Sequence, residues 1–293
     1  MTAPDEAHPR PWARRTVLRA LAPLPLLAAA GGCGGSDGRS ASSAASASAA
    51  AGASSGPSQT PGAPTSSASA ALPGASPVAL TQPEVSQAPS VTDAVALTFH
   101  GDGTAELAEA LLAEAEKADA RLTVLAVGRW LANYPQMAER VLKGGHELGN
   151  HTENHLDIDA MSASQAYDEI ERCAQRLEQL TGSRGRWFRQ SQAQHANAVV
   201  LAAAKRAGYG TLLSYDLDPL DYTDPGSTRI VNNVLGKVRG GDVVSLHLGH
   251  PETVTALPVI LTGLRQRGLR AVTASELFPV AGTSPSSQTT QSS

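Results

Sequence analysis

The chain has 293 residues, a formal net charge of -4, a pI near 6.1 and only two cysteines. That charge leaves no electrostatic footprint for nucleic acid, and no polybasic run lies beside the apolar part of the chain, so nucleic acid is excluded as a partner. The length admits one large or two modest domains, and the distribution of apolar residues assigns it one.

At the N-terminus Arg14, Arg15 and Arg19 flank the start of a short apolar run, Leu18 to Ala30. This is the layout of an export signal, too short and too interrupted by proline to span a membrane. Arg14-Arg15-Thr16-Val17-Leu18-Arg19 resembles a twin-arginine signal. Ala29-Ala30-Gly31-Gly32-Cys33 resembles a bacterial lipobox, with Ala30 where leucine usually stands. Residues 1–33 are therefore expected to be an export signal ending at a lipidated Cys33. The protein is then exported and extracytoplasmic, anchored by that lipid to the bacterial cell membrane; the alternative is a soluble secreted protein cleaved near the alanine run. Residues 34–90 are almost entirely Ala, Ser, Gly, Pro and Thr. With so little to bury they cannot offset the entropy of ordering, which predicts a disordered tether. Residues 281–293 read as a disordered tail.

The folded domain is expected over 91–280. Apolar runs of strand length recur at Val95 to Phe99, Leu122 to Val127, Gly210 to Tyr215, Val243 to Leu248 and Leu269 to Thr273, with shorter candidates at Glu147 to Asn150 and Trp187-Phe188. Helix-period stretches separate them: Glu106 to Ala118, Trp130 to Lys143, Ser162 to Leu180, Ala196 to Ala207, Ser227 to Val238 and Val254 to Arg267. Gly144-Gly145, Gly182, Gly208 and Gly268 follow these stretches as C-terminal caps do. The alternation predicts an α/β fold with a parallel sheet. Pattern alone does not separate a closed barrel from an open doubly wound sheet, but no glycine-rich phosphate loop follows the first strand, which disfavours a nucleotide fold.

Polar residues collect where strands end: His100 and Asp102, His151, Arg189, then Asp216, Asp218 and Asp221, and His247. In parallel α/β sheets those ends converge on one face, where sites are built. Within His151-Thr152-Glu153-Asn154-His155 two imidazoles four residues apart face one side of a helical turn and can share a metal ion, although a pair of solvated loop histidines has the same spacing. Cys173 falls in a helical pattern and reads as a buried structural thiol. His195 and His250 read as ordinary surface or supporting residues.

Gly144-Gly145-His146-Glu147-Leu148-Gly149-Asn150-His151-Thr152-Glu153-Asn154-His155 closely resembles the second motif of the polysaccharide deacetylases, the NodB-homology carbohydrate esterases (family 4). The resemblance extends over about Val91 to Leu277, through Ala96-Leu97-Thr98-Phe99, Gly241-Asp242-Val243-Val244-Ser245-Leu246-His247 and Arg270-Ala271-Val272-Thr273. It implies a distorted (β/α) barrel that removes acetyl groups from N-acetylated sugars with a divalent ion, zinc first, with cobalt, nickel or manganese as alternatives. In that mechanism two histidines and an aspartate hold the ion, a carboxylate deprotonates the water, and a histidine opposite protonates the departing amine.

Carried over by position, His151 and His155 match the histidine ligands, His247 the acid, Asp221 the aspartate that tunes it, and Arg189 the arginine that orients the base. Leu246 matches a leucine of the acetyl pocket, and Tyr222 stands where the family has a sugar-stacking tryptophan. Two departures stand out. The family's Thr-Phe-Asp-Asp-Gly is here Thr98-Phe99-His100-Gly101-Asp102-Gly103. Aligned without a gap, His100 takes the base position and Gly101 the ligand position; with one inserted residue, Asp102 becomes the ligand and His100 a substitute base, and this second register is the one expected. In the third motif Arg189-Gln190-Ser191-Gln192 replaces an Arg-Pro-Pro-Tyr type loop, so Gln190 and Ser191 are expected to meet sugar hydroxyls. The leading expectation is a monomeric metal-dependent hydrolase of acetylated cell-envelope or extracellular polysaccharide, N- or O-linked, with peptidoglycan-type glycan as substrate. The alternative is a non-catalytic, envelope-tethered carbohydrate-binding protein on the same fold.

Overall fold

A computed structural model describes residues 82–89 and 92–279. Cys33 and the expected export signal lie outside the described residues, as do most of the expected tether and the C-terminal tail.

The domain is built on parallel strands joined by helices. A short β1 (Glu84–Val85) leads to β2 (Ala94–Gly101), α1 (Ala105–Lys117), β3 (Thr123–Ala126), α2 (Gly128–Asn133), α3 (Gln136–Lys143) and β4 (Glu147–Asn150). Then come α4 (Ala163–Thr181), α5 (Ala198–Arg206), β5 (Leu212–Leu213), α6 (Ser227–Leu235), β6 (Val243–His247), α7 (Pro251–Gln266), β7 (Arg270–Val272) and α8 (Ala274–Leu277). Strands β4, β3, β2 and β6 lie side by side, with β7 also against the start of β2; every pair is parallel.

The ring closes through short bridges. Asn150 at the end of β4 pairs with Phe188, the Leu213 amide donates to the Phe188 carbonyl, and Leu217 pairs with Val244 of β6. The result is a distorted barrel, which resolves the choice between barrel and open sheet. Trp187-Phe188 supplies a bridge rather than a full strand.

Strand alternation sorts side chains into two layers. Val95, Leu97, Phe99, Val244 and Leu246 pack outward against the helices, while Ala96, Leu125, Trp187, Leu213 and Val243 fill the barrel floor with Phe278. Trp187 and Phe278 meet edge to face at 5.8 Å. Removing such a fully buried indole costs about 3–5 kcal/mol. With its lower end plugged, the barrel leaves its other end, where Thr98, His100, Ser245 and His247 follow on the inner face, for the site.

Helix termini follow local chemistry. Ser162 and Gln165 form a reciprocal capping box at the start of α4, and Gly182 closes that helix with φ of 77°. The stretch Trp130 to Lys143, expected as one helix, is two, because Pro135 lacks the amide a continuous helix needs and restricts Tyr134 before it. The domain also begins earlier than expected: β1 falls inside the predicted tether and pairs in parallel with β5.

Candidate active site

His100 is the penultimate residue of β2, in register with His247 of β6 and on the same face as Thr98. Its ring lies 4.2 Å from that of His151 and 4.4 Å from that of His247 between centroids, so it occupies the centre of the mouth. His151 follows β4 directly and is fully buried, and its ring is 4.8 Å from that of His155. The 151–155 segment is not the helical turn its spacing suggested: Thr152 and His155 have φ of 67° and 56°, and the loop folds back so that the Thr152 hydroxyl accepts from the His155 amide at 3.2 Å. Asn150 holds the entrance of that loop, donating to the Ile170 carbonyl and the Tyr209 hydroxyl and accepting from the Thr152 amide.

One ring nitrogen from each of His100, His151 and His155 lies within 4.8 Å of the others. His100 Nδ1 and His151 Nε2 are buried without a hydrogen-bond partner, whereas their opposite nitrogens are engaged. His151 Nδ1 donates to the Arg189 carbonyl at 3.1 Å, and His100 Nε2 stands 3.1 Å from the Ser245 hydroxyl. Burial holds both rings well below the ordinary imidazole range, reinforced for His100 by His151 and for His151 by His155. His155 is lowered by the same cause, with Asp102 opposing. Three convergent imidazoles whose burial disfavours their charged forms, two of them with an orphaned nitrogen, fit a divalent ion, since metal-bound histidine presents one lone pair inward while its other nitrogen is held by the surrounding shell.

Asp102, expected as the third ligand, is not in this group. It lies beyond the strand end, exposed, with its carboxylate accepting from the Gly103 amide at 2.9 Å. Gly103, with φ of 104°, is packed so closely on Gly249 that a Cβ there would stand 2.4 Å from the Gly249 Cα. That close approach leaves room only for glycine at 103, while the Asp102 carboxylate stays near enough to His155 to oppose the lowering of its ring without joining the three-histidine group.

Across the mouth the arrangement follows the expectation. Asp221 is fully buried, accepts from His247 Nδ1 at 2.7 Å and from the His247 amide at 2.8 Å, and is held by the Thr253 hydroxyl at 2.7 Å. Tyr222, 48% exposed, stands with its ring 5.3 Å from that of His247 at the rim. His250 pairs with Asp224 and His195 with Glu84, both as supporting contacts.

Three positions differ from expectation. Leu246 belongs to the outer core and points away from the mouth; alternation puts Ser245 there instead. Arg189, fully buried, donates to the Leu213 and Ser214 carbonyls and to the Thr98 hydroxyl, and to no base. Burial brings its guanidinium down to about 9. Gln190 and Ser191 are buried braces rather than sugar contacts: Gln190 donates to Glu84 and to the Gln194 carbonyl, Ser191 to the Leu156 carbonyl. Gln192, with φ of 61°, donates to the His155 carbonyl. These bonds tie the third-motif loop to the histidine loop where the resemblance leads one to expect prolines. Cys173 is buried as expected, its thiol pushed up to about 12 by burial.

Comparison with known proteins settles the lineage. The family model described as Polysaccharide deacetylase matches residues 88–212. A peptidoglycan-N-acetylglucosamine deacetylase of Bacillus cereus is 34% identical over 203 residues, covering 66% of this chain and 91% of the relative. The chain belongs to the polysaccharide deacetylase family. A chitooligosaccharide deacetylase of Bradyrhizobium is 31% identical over 50% of this chain and 73% of its own length. The same fold occurs in a family 4 pseudoenzyme of Bacillus anthracis, with a TM-score of 0.63 at 23% identity over 67% of this chain and 69% of that one. His151, His155, the buried Arg189 and the Asp221–His247 pair, the positions named from the resemblance, gather at this one mouth. Ser245 and Thr98 were missed in the sequence although period-two alternation from His247 and His100 points to both, and Glu84 was hidden in the expected tether.

Proposed function

We propose that this protein is a metal-dependent deacetylase acting on N-acetylated cell-envelope glycan, with peptidoglycan-type polymer as the substrate class and O-acetyl esters as a secondary one. The observation that carries the reading is the Asp221–His247 pair beside a cluster of three histidines, two of which, His100 and His151, have a buried ring nitrogen without a partner. Deacetylase relatives that match the greater part of their length support it.

When bound, a divalent ion, zinc by donor type, polarises the acetyl carbonyl and lowers the pKa of water. His151 and His155 would hold it together with the third member of the cluster. Asp221 fixes His247 with Nδ1–H inward, which leaves Nε2 toward the mouth to protonate the departing amine. Tyr222 offers an aromatic edge to the sugar ring at the rim. Arg189 fastens the loop after Phe188 to β2 and β5, so that its backbone stays beside the histidines.

The test is acetate release from N-acetylglucosamine oligomers and peptidoglycan fragments. Turnover that disappears with a chelator, returns with zinc and falls in His247→Ala is expected. A zinc-loaded protein that binds these glycans and never releases acetate would instead establish the carbohydrate-binding alternative, which the absence of a carboxylate from the histidine cluster favours.

Export and anchoring through Cys33 are part of the proposal, supported by the paired arginines and the small residues before that cysteine. Cys33→Ala is expected to move the protein from the membrane fraction to the soluble one. A monomer is the expected solution state, measured by sedimentation.

A further inference from the structure

We infer that the metal centre of this chain is a three-imidazole site, His100, His151 and His155, with no carboxylate among its protein ligands. The inference rests on the metal-dependent reading above and concerns which residues hold the ion.

Three observations carry it. The first is placement: regular alternation along β2 puts His100, with Thr98, on the inner face, and its ring sits between those of His151 and His247. Nitrogens around a tetrahedral zinc at about 2.0–2.1 Å stand about 3.4 Å apart, so a group within 4.8 Å closes onto an ion by roughly 1 Å of side-chain rotation. The second is tautomer. The Arg189 carbonyl can only accept, so His151 carries its proton on Nδ1 and presents a lone pair at Nε2. His100 Nε2 stands 3.1 Å from Ser245 Oγ, a hydroxyl able to accept its proton, and the tautomer so held would present the buried, unpartnered Nδ1 as the matching lone pair. Both rings are held from behind in the way metal-bound histidines are.

The third observation closes the alternatives. A side chain at position 101 would point out of the site, because a Cβ on Gly101 stands 2.9 Å from the Ala126 Cα and 3.0 Å from Val124 Cγ1 on the neighbouring strand. The ungapped register therefore has no room for a ligand there. Asp102 is exposed, accepts from the Gly103 amide within its own turn, and, though near enough to His155 to act on its charge, lies outside the group of three ring nitrogens. Neither residue supplies the carboxylate.

The chemical consequence concerns ligand class. Three neutral donors leave both positive charges of the ion uncompensated, and Arg189 adds another cation behind His151. Such a centre selects nitrogen-preferring ions, zinc, cobalt or nickel, over oxygen-preferring manganese. It also takes a carboxylate anion such as acetate at its open position.

The test uses the full-length protein stripped with a chelator and titrated with cobalt(II), read by visible absorption and by metal content after equilibrium dialysis. Wild type and Asp102→Asn are each expected to bind one cobalt with the same spectrum, which acetate shifts. His100→Ala is expected to bind at least tenfold more weakly and to lose that spectrum. Should His100→Ala fail to match the metal-free wild type by circular dichroism, His100→Asn, closer in size and polarity, is measured in its place. Wild-type affinity in the His100 variants, or loss of cobalt in Asp102→Asn, overturns the three-imidazole assignment while leaving metal dependence intact. No cobalt bound by wild type overturns both, and cobalt bound as expected without acetate release overturns only the catalytic reading.

Discussion

The two sides of the mouth are built on opposite electrostatic plans. On the His247 side a buried carboxylate, Asp221, receives three hydrogen bonds and fixes one imidazole. On the His100 side three imidazoles and a buried guanidinium meet with no carboxylate among them. The first plan orients an imidazole, the proposed proton donor, against a buried carboxylate. The second keeps rings neutral by desolvation, so their lone pairs are available to a cation and their charged forms are penalised. The departures from the expected motifs thus fall on the histidine-cluster side, while the proposed proton-donor side has the pair that the resemblance implies.

The largest test of this contrast is Asp221→Asn. The asparagine cannot hold His247 as the carboxylate does, and acetate release is expected to fall by about 10²–10⁴-fold, the usual contribution of a positioned acid, with cobalt binding unchanged. Equal loss of cobalt would show that the two sides are not independent. Gly101→Asp attempts to give the other side its carboxylate back. Because the new Cβ runs into β3, we expect destabilisation of about 1–3 kcal/mol by urea unfolding and no gain in cobalt affinity. A gain would show that the strand yields.

The pH dependence of the metal-free protein is next in size. His100, His151 and His155 have folded-state values below their unfolded ones, so as pH falls the unfolded chain takes up protons first. Their contribution is fully present above about pH 6.5 and is lost on acidification below it, towards the lowered folded-state values. The melting temperature is expected to decline over that range in chelator, and zinc should offset the decline. The smallest effect belongs to Ser191→Ala, which removes one brace between the third-motif and histidine loops. We expect about 0.5–1.5 kcal/mol in stability and a modest rise in KM for oligosaccharide, measured by initial rates.

The β/α order was legible from apolar periodicity, and His247 with its partner Asp221 from the resemblance to the family's motifs. The errors have separate physical origins. Pro135 was overlooked as a helix breaker inside an otherwise helical pattern. Leu246 was assigned to the acetyl pocket because a motif was matched by residue type, although alternation turns it outward and puts Ser245 on the inner face. Gln190 and Ser191 sit beside a buried arginine, and nothing in a linear chain says whether a polar loop residue faces solvent or a carbonyl. The positive φ values at Thr152, His155 and Gln192, which set the loop geometry, belong to residue types that rarely adopt them. Strand β1 has two residues and no period to detect.

That strand also has a mechanical consequence. The chain enters the domain through Glu84 and Val85, in parallel with β5, so tension arriving from residues 1–81 runs along this short ladder in shear. Glu84 accepts from Gln190, from the Ala196 amide and from His195, and Gln190 lies next to Arg189 on the loop behind the histidines. Glu84 is thus two hydrogen bonds from the histidine cluster, one with Gln190 and one between the adjacent Arg189 carbonyl and His151, and a displacement of β1 is transmitted along that route.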